Sequence, residues 1–210
     1  GQNDLGQRVK IAQNGDIYVG GAMTDVFGSF VHFDIALLRY NPGGTKLWTS
    51  TYDRGGLSDV PFDMTLDNEG NIIMTGYAGS ISTFLDILTV KFSPDGVFRW
   101  AEIYSGSWNN WDEGKSVTTD ASGNVYITGT AWETLTDLDY TTIKYSPAGE
   151  QVWMMQYDGG YIDAARSIAV DNNGYVYITG YHSTRNATSS ATTIKYSQPV
   201  GIVPISNETP

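Results

Sequence analysis

Residues 163–180 read DAARSIAVDNNGYVYITG, and this stretch decides the fold because three other segments repeat its pattern. The matching segments are IAQNGDIYVGG at 11–21, TLDNEGNIIMTG at 65–76 and TTDASGNVYITG at 118–129. Their turn glycines are separated by 55, 53 and 51 residues, and they are Gly15, Gly70, Gly123 and Gly174. A regular period of this length is typical of proteins built from stacked supersecondary units.

Each copy predicts four short antiparallel strands. A first apolar run leads into an Asp-x-x-Gly turn, in which Gly supplies positive φ and Asp accepts hydrogen bonds from turn amides. We expect the second strand to end at a glycine, namely Gly21, Gly76, Gly129 or Gly180. The third strands are DIALLRYNP, DILTVKFSP, DYTTIKYSP and SATTIKYSQP. A fourth strand with Trp and Tyr four residues apart follows in three copies: Trp48/Tyr52, Trp100/Tyr104 and Trp153/Tyr157.

Both faces of such a sheet carry Ile, Val, Tyr and Trp, so neither face can be left in water. Stacking the units around a common axis covers both faces. We therefore predict an all-β protein, a β-propeller of four four-stranded antiparallel blades of about 52 residues, the last lacking its outer strand. The predicted blades are 1–54, 55–107, 108–160 and the incomplete 161–197, followed by a Pro-rich tail or linker at 198–210.

The pattern at 163–180, together with TTIKYSPAGEQVW at 141–153, resembles the bacterial seven-bladed β-propeller repeat, or SBBP repeat. The resemblance covers about residues 1–197 and is loosest in blade 1, where Ala12 stands in place of the turn Asp. It implies a propeller in a secreted or cell-surface bacterial protein. It implies no enzymatic activity, since the family is defined by its scaffold.

The third strand of blade 4 would be an unpaired edge, which proteins usually cover. The tail at 200–206 could supply the missing strand, although Pro204 disfavours this. A neighbouring subunit could donate it, or residues upstream of this chain could close the ring. The four blades thus predict a small closed ring, half of a larger ring shared with a partner, or a filament joined at the open edge.

Composition excludes several classes of partner. Twelve basic and 23 acidic residues give a net charge of −11, which argues against nucleic acid and against anionic membrane surfaces. No apolar run approaches the length of a membrane-spanning helix, so no membrane insertion is expected. The absence of cysteine excludes disulfides and thiolate metal sites.

Several charged residues recur in every copy or nearly so, which favours a structural role over a catalytic one. We expect the aspartates at the start of each first strand to cap a turn or bond to the next blade; they are Asp4, Asp59, Asp112 and Asp163. A second set opens three of the third strands: Asp34, Asp86 and Asp139. The cations Arg39, Lys91, Lys144 and Lys195 share one register, where their stems should pack between blades and their charges reach carboxylates.

The residues that depart from the repeat define a candidate binding rim: Trp108, Trp111, Asp112, Trp132, Asp137 and His182. Exposed Trp beside carboxylates suits stacking on sugar rings or on a partner's side chains. Alternatively, the Trp rings fold back over the blade tops as local lids. His32 and His182 could share a metal only if blades 1 and 4 are neighbours. We assign no metal ligand, no catalytic residue and no cofactor.

No catalytic signature is present: there is no Gly-x-Ser-x-Gly elbow, no phosphate loop and no HExxH. The prediction is a non-catalytic secreted or cell-surface binding or scaffold module. Its partner would be a protein, a glycan or a copy of itself. The alternative is a glycan-binding or glycan-processing enzyme that uses loop carboxylates and Trp.

Overall fold

The computed structural model describes residues 4–27, 30–55, 57–108, 110–132, 138–184, 188–197 and 202–203. Blade 1 contains β1 (Leu5–Ile11), β2 (Ile17–Phe27), β3 (Phe30–Tyr40) and β4 (Lys46–Tyr52). Blade 2 contains β5 (Asp59–Leu66), β6 (Ile72–Ser80), β7 (Phe84–Phe92) and β8 (Phe98–Tyr104). Blade 3 contains β9 (Glu113–Thr119), β10 (Val125–Trp132), β11 (Leu138–Tyr145) and β12 (Gln151–Tyr157). Blade 4 contains β13 (Asp163–Val170), β14 (Val176–Ser183), β15 (Ser189–Tyr196) and β16 (Ile202–Val203).

The strands form four separate antiparallel sheets in which spatial order follows chain order. The predicted all-β fold of four propeller blades is confirmed. Blade 4 has three full strands, as predicted, and the described part of the tail adds the two-residue β16, which pairs Val203 with Lys195 and Ile202 with Tyr196. Within the described ranges, no helix is long and apolar enough to cross a membrane.

Three apolar cores lie between successive blades, as expected for sheets that are apolar on both faces. Tyr18, Ile35 and Leu37 of blade 1 pack against Met64, Ile72 and Met74 of blade 2. Ile73 and Ile87 of blade 2 pack against blade 3, and Tyr126 and Tyr140 of blade 3 pack against blade 4. No comparable core joins blades 1 and 4 among the described residues, so the four blades form an open arc.

The turn between the first and second strands forms as the sequence predicts. Gly70, Gly123 and Gly174 adopt φ of 79°, 78° and 80°. In blade 2, the Asp67 carboxylate accepts hydrogen bonds from the amides of Glu69 and Asn71 at 3.0 and 2.9 Å. Blade 1, which lacks the turn Asp, uses a different acceptor: Asn14 Oδ1 accepts the Asp16 amide at 3.0 Å.

The repeated glycine of the second strand has a different role from the one predicted. The strands do not end there: β10, for example, continues past Gly129 to Trp132. The first strand is bulged at this point, and a Cβ on Gly129 would lie 2.0 Å from the Glu113 carbonyl oxygen. The same 2.0 Å approach occurs in the other blades, at Gly21, Gly76 and Gly180. Glycine is therefore required by the close backbone approach at a bulge.

Two of the outer-strand Trp residues, Trp48 and Trp100, pack on a turn glycine of the next blade. A Cβ on Gly96 of blade 2 would lie 3.0 Å from the Trp48 ring of blade 1, and Gly149 of blade 3 meets Trp100 at the same distance. The cation that recurs in the third strand makes a second contact with the next blade: Arg39 Nη1 donates to the Pro94 carbonyl at 2.9 Å. Lys91 Nζ does the same to the Pro147 carbonyl at 3.3 Å. These two contacts between blades explain why Trp, a cation, Pro and Gly recur together in the sequence.

The prediction that the register cations reach carboxylates is met by ion pairs in blades 1 and 2. Arg39 bonds to Asp16, and Lys91 Nζ lies 3.0 Å from Asp67 Oδ2. Both pairs are shielded from water, so they fix the cation's direction towards the next blade. Lys144 and Lys195 lie over tyrosine rings, at 5.0 Å from Tyr126 and 3.6 Å from Tyr175. They also interact electrostatically with the turn aspartates of their own blades, Asp120 and Asp171.

Substituting Gly129 by Ala should lower the free energy of unfolding by about 2 kcal/mol or more, because the methyl group cannot fit beside the Glu113 carbonyl. Gly6→Ala is the matched control, since a Cβ at Gly6 would meet nothing within 4 Å. Urea unfolding of both variants checks this. Equal losses in the two variants would contradict the role assigned to the bulge.

Candidate functional site

Trp108 and Trp111 of the predicted rim lie in the segment that connects blade 2 to blade 3. Their side chains are 47% and 60% exposed. The Trp108 amide donates to the Trp132 carbonyl at 3.3 Å, and Trp111 forms an isolated bridge with Leu85 at the start of β7. The segment is thereby held between hairpins of two blades, and two Trp side chains are presented to solvent on a fixed backbone.

Asp112 is fully buried beneath this segment. One carboxylate oxygen accepts the Gly106 amide, and the other accepts the Trp132 amide at 2.8 Å. The Asp112 amide donates to the Leu85 carbonyl at 2.9 Å. These contacts position the loop, and they leave the carboxylate facing backbone amides rather than solvent.

The equivalent aspartates repeat this arrangement, in line with the structural role expected from their recurrence. Asp59 Oδ2 accepts the Arg54 amide at 2.6 Å, and Asp163 Oδ2 accepts the Gly159 amide. In blade 1, Asp4 Oδ1 accepts the Thr24 amide at 3.1 Å. Each aspartate thus accepts a backbone amide at the same end of its blade; in the last three blades that amide belongs to the connecting loop.

The remaining rim residues are less closely grouped. Trp132 is half-buried at the end of β10, next to the Trp108 backbone. His182 lies one blade further on, opposite Asp163 in the sheet, with Nδ1 2.9 Å from Thr192 Oγ1. Asp137 lies outside the described residues. The structure therefore brings Trp108, Trp132 and Asp112 together with Trp111 nearby, and it places His182 on a separate blade.

His32 does not lie beside His182, because blades 1 and 4 do not share a core among the described residues. It lies instead within a group that sequence reasoning missed. His32 Nε2 is 3.4 Å from Asp34 Oδ1 and 3.8 Å from Asp25 Oδ2. The register of the β2–β3 hairpin, in which Asp25 faces His32 across the ladder, is the signal that could have identified the group.

A second acidic group lies between blades 3 and 4 and combines Asp139, Asp158 and Asp163. At the matching place in blade 2, the Arg54 guanidinium neutralises Asp86 at 2.7 Å. A groove of about 410 Å³ lies elsewhere, between the turns of blades 1 and 2, and includes Asn14, Arg39 and Glu69. Arg39 is already engaged there by Asp16 and the Pro94 carbonyl.

Two buried carboxyls near the blade 1–blade 2 boundary have raised pKa values. Burial, followed by the negative charge of Asp53, raises the pKa of Asp34, and the charge of Asp25 adds to this effect. Burial raises the pKa of Asp59 to about 7, despite its hydrogen bond from the Arg54 amide. Asp53 and Asp34 contribute further to this shift. Negative charge is therefore poorly compensated at this corner of the arc.

The chain is a repeat protein of β-propeller type, as shown by its blade topology, the contacts between its blades and the aspartates that hold the same end of each blade. Residues 103–135 match the family model of the SBBP beta-propeller repeat. The resemblance seen in the sequence is thus confirmed at residues 103–135, which carry this repeat.

Among curated proteins, the chain is similar to an uncharacterized WD repeat-containing protein of Acanthamoeba polyphaga mimivirus. The two are 26% identical over 162 residues, which is 68% of this chain and 11% of that protein. The chain therefore spans about a tenth of the length of this relative.

Two solved structures are also similar in shape. One is CoXyl43, a GH43 beta-xylosidase/alpha-arabinofuranosidase from a compost microbial metagenome, with 13% identity and a TM-score of 0.49 over 94% of this chain and 75% of that one. The other is a putative gluconolactonase with 14% identity and a TM-score of 0.44 over 90% and 62%.

The buried Asp59 predicts a pH effect on stability. Its pKa is about 7 when folded and near 3.8 when unfolded, so the folded state holds a proton that the unfolded state releases between these values. The stability linked to this proton is present below about pH 4 and is lost as pH rises through about 7. Asp59→Asn should remove up to a few kcal/mol of this pH dependence, measured as urea-unfolding free energy against pH.

Asp67→Asn should change the pH dependence of stability in the direction opposite to Asp59→Asn. Burial alone would raise the pKa of Asp67, but hydrogen bonds from Asn71 and Lys91 outweigh burial and hold the pKa below its ordinary value. This substitution should therefore cost stability at neutral pH, with the loss shrinking in acid. If the unfolding free energy of Asp59→Asn varies with pH as that of wild type does, the pH effect does not come from Asp59.

Proposed function

We propose that this chain is a non-catalytic scaffold or binding module that joins further blades of the same repeat through its two uncovered sheet faces. The observation that carries the proposal is one repeat position of the first strand. Val9 in blade 1 is 60% exposed, whereas the residues at that position in the other blades are 1%, 5% and 7% exposed: Met64, Val117 and Ile168. A face that is a core elsewhere in the molecule is open on blade 1.

Blade 1 presents the acceptor side of the inter-blade contact. A depression of about 330 Å³ on this face is lined by residues that include Leu5, Val19 and Leu38. Gly44 of blade 1 is the repeat equivalent of Gly96, the turn glycine of blade 2 that packs on the Trp48 ring. A Cβ on Gly44 would meet nothing within 4 Å, so no Trp ring packs there. The apolar depression and the surface at Gly44 on which a Trp ring could pack are thus both accessible.

Blade 4 presents the donor side. Thr193 is exposed, although its repeat equivalents are fully buried: Leu37, Thr89 and Thr142. Lys195 has the position of Arg39 and Lys91, whose side chains donate to a Pro carbonyl of the next blade. Pro42 of blade 1 is the equivalent proline, so blade 4 of one copy can meet blade 1 of a second copy.

Such a contact is head-to-tail, because it joins two different surfaces. It closes a ring or extends a filament according to the rotation between copies. The described part of the blade 4 outer strand is only Ile202–Val203, and the sequence after Trp153 contains no Trp that could pack on Gly44 of a second copy. We accordingly expect association weaker than the internal contacts and dependent on concentration.

The test is the solution mass of this chain over a wide concentration range, by sedimentation velocity. Wild type should associate as concentration rises, while Val9→Glu and Lys195→Glu should each remain monomeric. Mixing these two variants should restore dimers, since each retains one intact face. Val97→Glu is the matched control, because Val97 is 56% exposed in the turn before β8 of blade 2.

A wild-type chain that stays monomeric at the highest concentration would refute assembly through these faces. Association that persists in Lys195→Glu alone would show that blade 4 is not the partner surface. The extracellular or cell-surface location follows only from what the SBBP resemblance implies. Fractionation of the source cells tests that part separately.

A second candidate function is glycan binding or processing at the Trp rim. The exposed rings of Trp108 and Trp111 favour it, because exposed aromatic rings on a fixed backbone stack on sugar rings. The burial of Asp112 and its two amide contacts favour binding over hydrolysis.

A glycan array and a polysaccharide hydrolysis screen separate these activities. Trp108→Ala should abolish any glycan signal without changing the melting temperature, whereas Asp112→Asn should mainly lower stability. Turnover of a polysaccharide that disappears in Asp112→Asn would overturn the non-catalytic assignment. Binding that is unaffected by Trp108→Ala and by Trp111→Ala would exclude the rim.

A further inference from the structure

One group of potential ligands lies on the extended β2–β3 hairpin of blade 1. Both strands are 11 residues long, whereas the corresponding strands of the other blades are eight or nine. Asp25 faces His32 across this hairpin, and Asp34 lies two residues from His32 on the same side of β3. The group belongs to a part of blade 1 that departs from the repeat.

The hairpin brings one ligand atom from each side chain within 4.8 Å of the others. His32 is only 5% exposed, and neither of its ring nitrogens has a hydrogen-bond partner. Asp34 Oδ1 is also buried without a hydrogen bond. Buried polar atoms without partners are costly and call for an explanation, such as a bound water or ion.

We propose that Asp25, His32 and Asp34 bind a divalent transition-metal ion, with Zn²⁺ as the reference ion. One imidazole and two carboxylates are ligands that Zn²⁺ accepts, and three protein ligands leave one position for water. Ligand atoms on a tetrahedral zinc lie roughly 3.3 Å apart for bonds of about 2.0 Å. The separation of His32 Nε2 and Asp34 Oδ1 is 3.4 Å, and that of His32 Nε2 and Asp25 Oδ2 is 3.8 Å.

The surrounding charge supports a cation at this point. Asp53 also acts on Asp34, and in the described residues Asp34 forms no ion pair with a lysine or an arginine. A divalent ion would offset this negative charge and would give His32 Nε2 and Asp34 Oδ1 a partner. The oxygen-only group of Asp139, Asp158 and Asp163 lacks an imidazole and carries no comparable selectivity for Zn²⁺.

The experiment is calorimetric titration of Zn²⁺ into protein without an affinity tag. Wild type should bind one ion, and Asp25→Asn and His32→Asn should each weaken binding by about tenfold or more. His182→Asn is the matched control and should bind as wild type does, since His182 is engaged with Thr192. Co²⁺ should give visible absorption bands that disappear in His32→Asn.

The inference is overturned if wild type binds no Zn²⁺. It is equally overturned if neither Asp25→Asn nor His32→Asn weakens binding, or if His182→Asn removes it. Should His32→Asn fail to fold, Asp25→Asn decides the matter, because the Asp25 side chain is exposed. The Val9→Glu variant should bind Zn²⁺ as wild type does, so this test is independent of assembly.

Discussion

The structure depends on one constraint: each blade is a sheet with apolar side chains on both faces. Such a sheet cannot be stable alone in water, and a near-copy of itself is the surface that fits it best. An apolar core meets this need at all three boundaries between successive blades, and the first two boundaries add a Trp on a turn glycine and a cation on a proline carbonyl. The repeated residues therefore specify the contacts between blades as well as the strands within each blade.

Local backbone chemistry makes each copy alike enough for this stacking. The bulge opposite Gly129 and its equivalents twists every first strand at the same point. The buried aspartates then fix the connecting loops by accepting backbone amides, so loop side chains such as Trp108 emerge from a rigid base. Rigid loops that differ from blade to blade are the places where a scaffold can acquire specific contacts.

Much of this could be predicted from sequence, because strand alternation and Asp-x-x-Gly turns are local signals. The strand order, the turns and the incomplete fourth blade follow from such signals. The role of Gly129 could not be predicted, since it depends on a carbonyl of another strand. The burial of Asp112 could not be predicted for the same reason, since one of its partners, Trp132, lies at the end of β10. The meeting of Asp25 with His32 depends on a hairpin register that no local signal fixes.

The central claim is that coverage of the sheet faces, rather than strand pairing alone, stabilises a blade. Hydrogen exchange tests this by comparing β1 with β9, two inner edge strands that differ in whether a preceding blade covers them. At low protein concentration, the amides of β1 bonded to β2 should exchange much faster than those of β9 bonded to β10, and β1 should gain protection as concentration rises. Equal protection of the two strands in dilute solution would contradict the account.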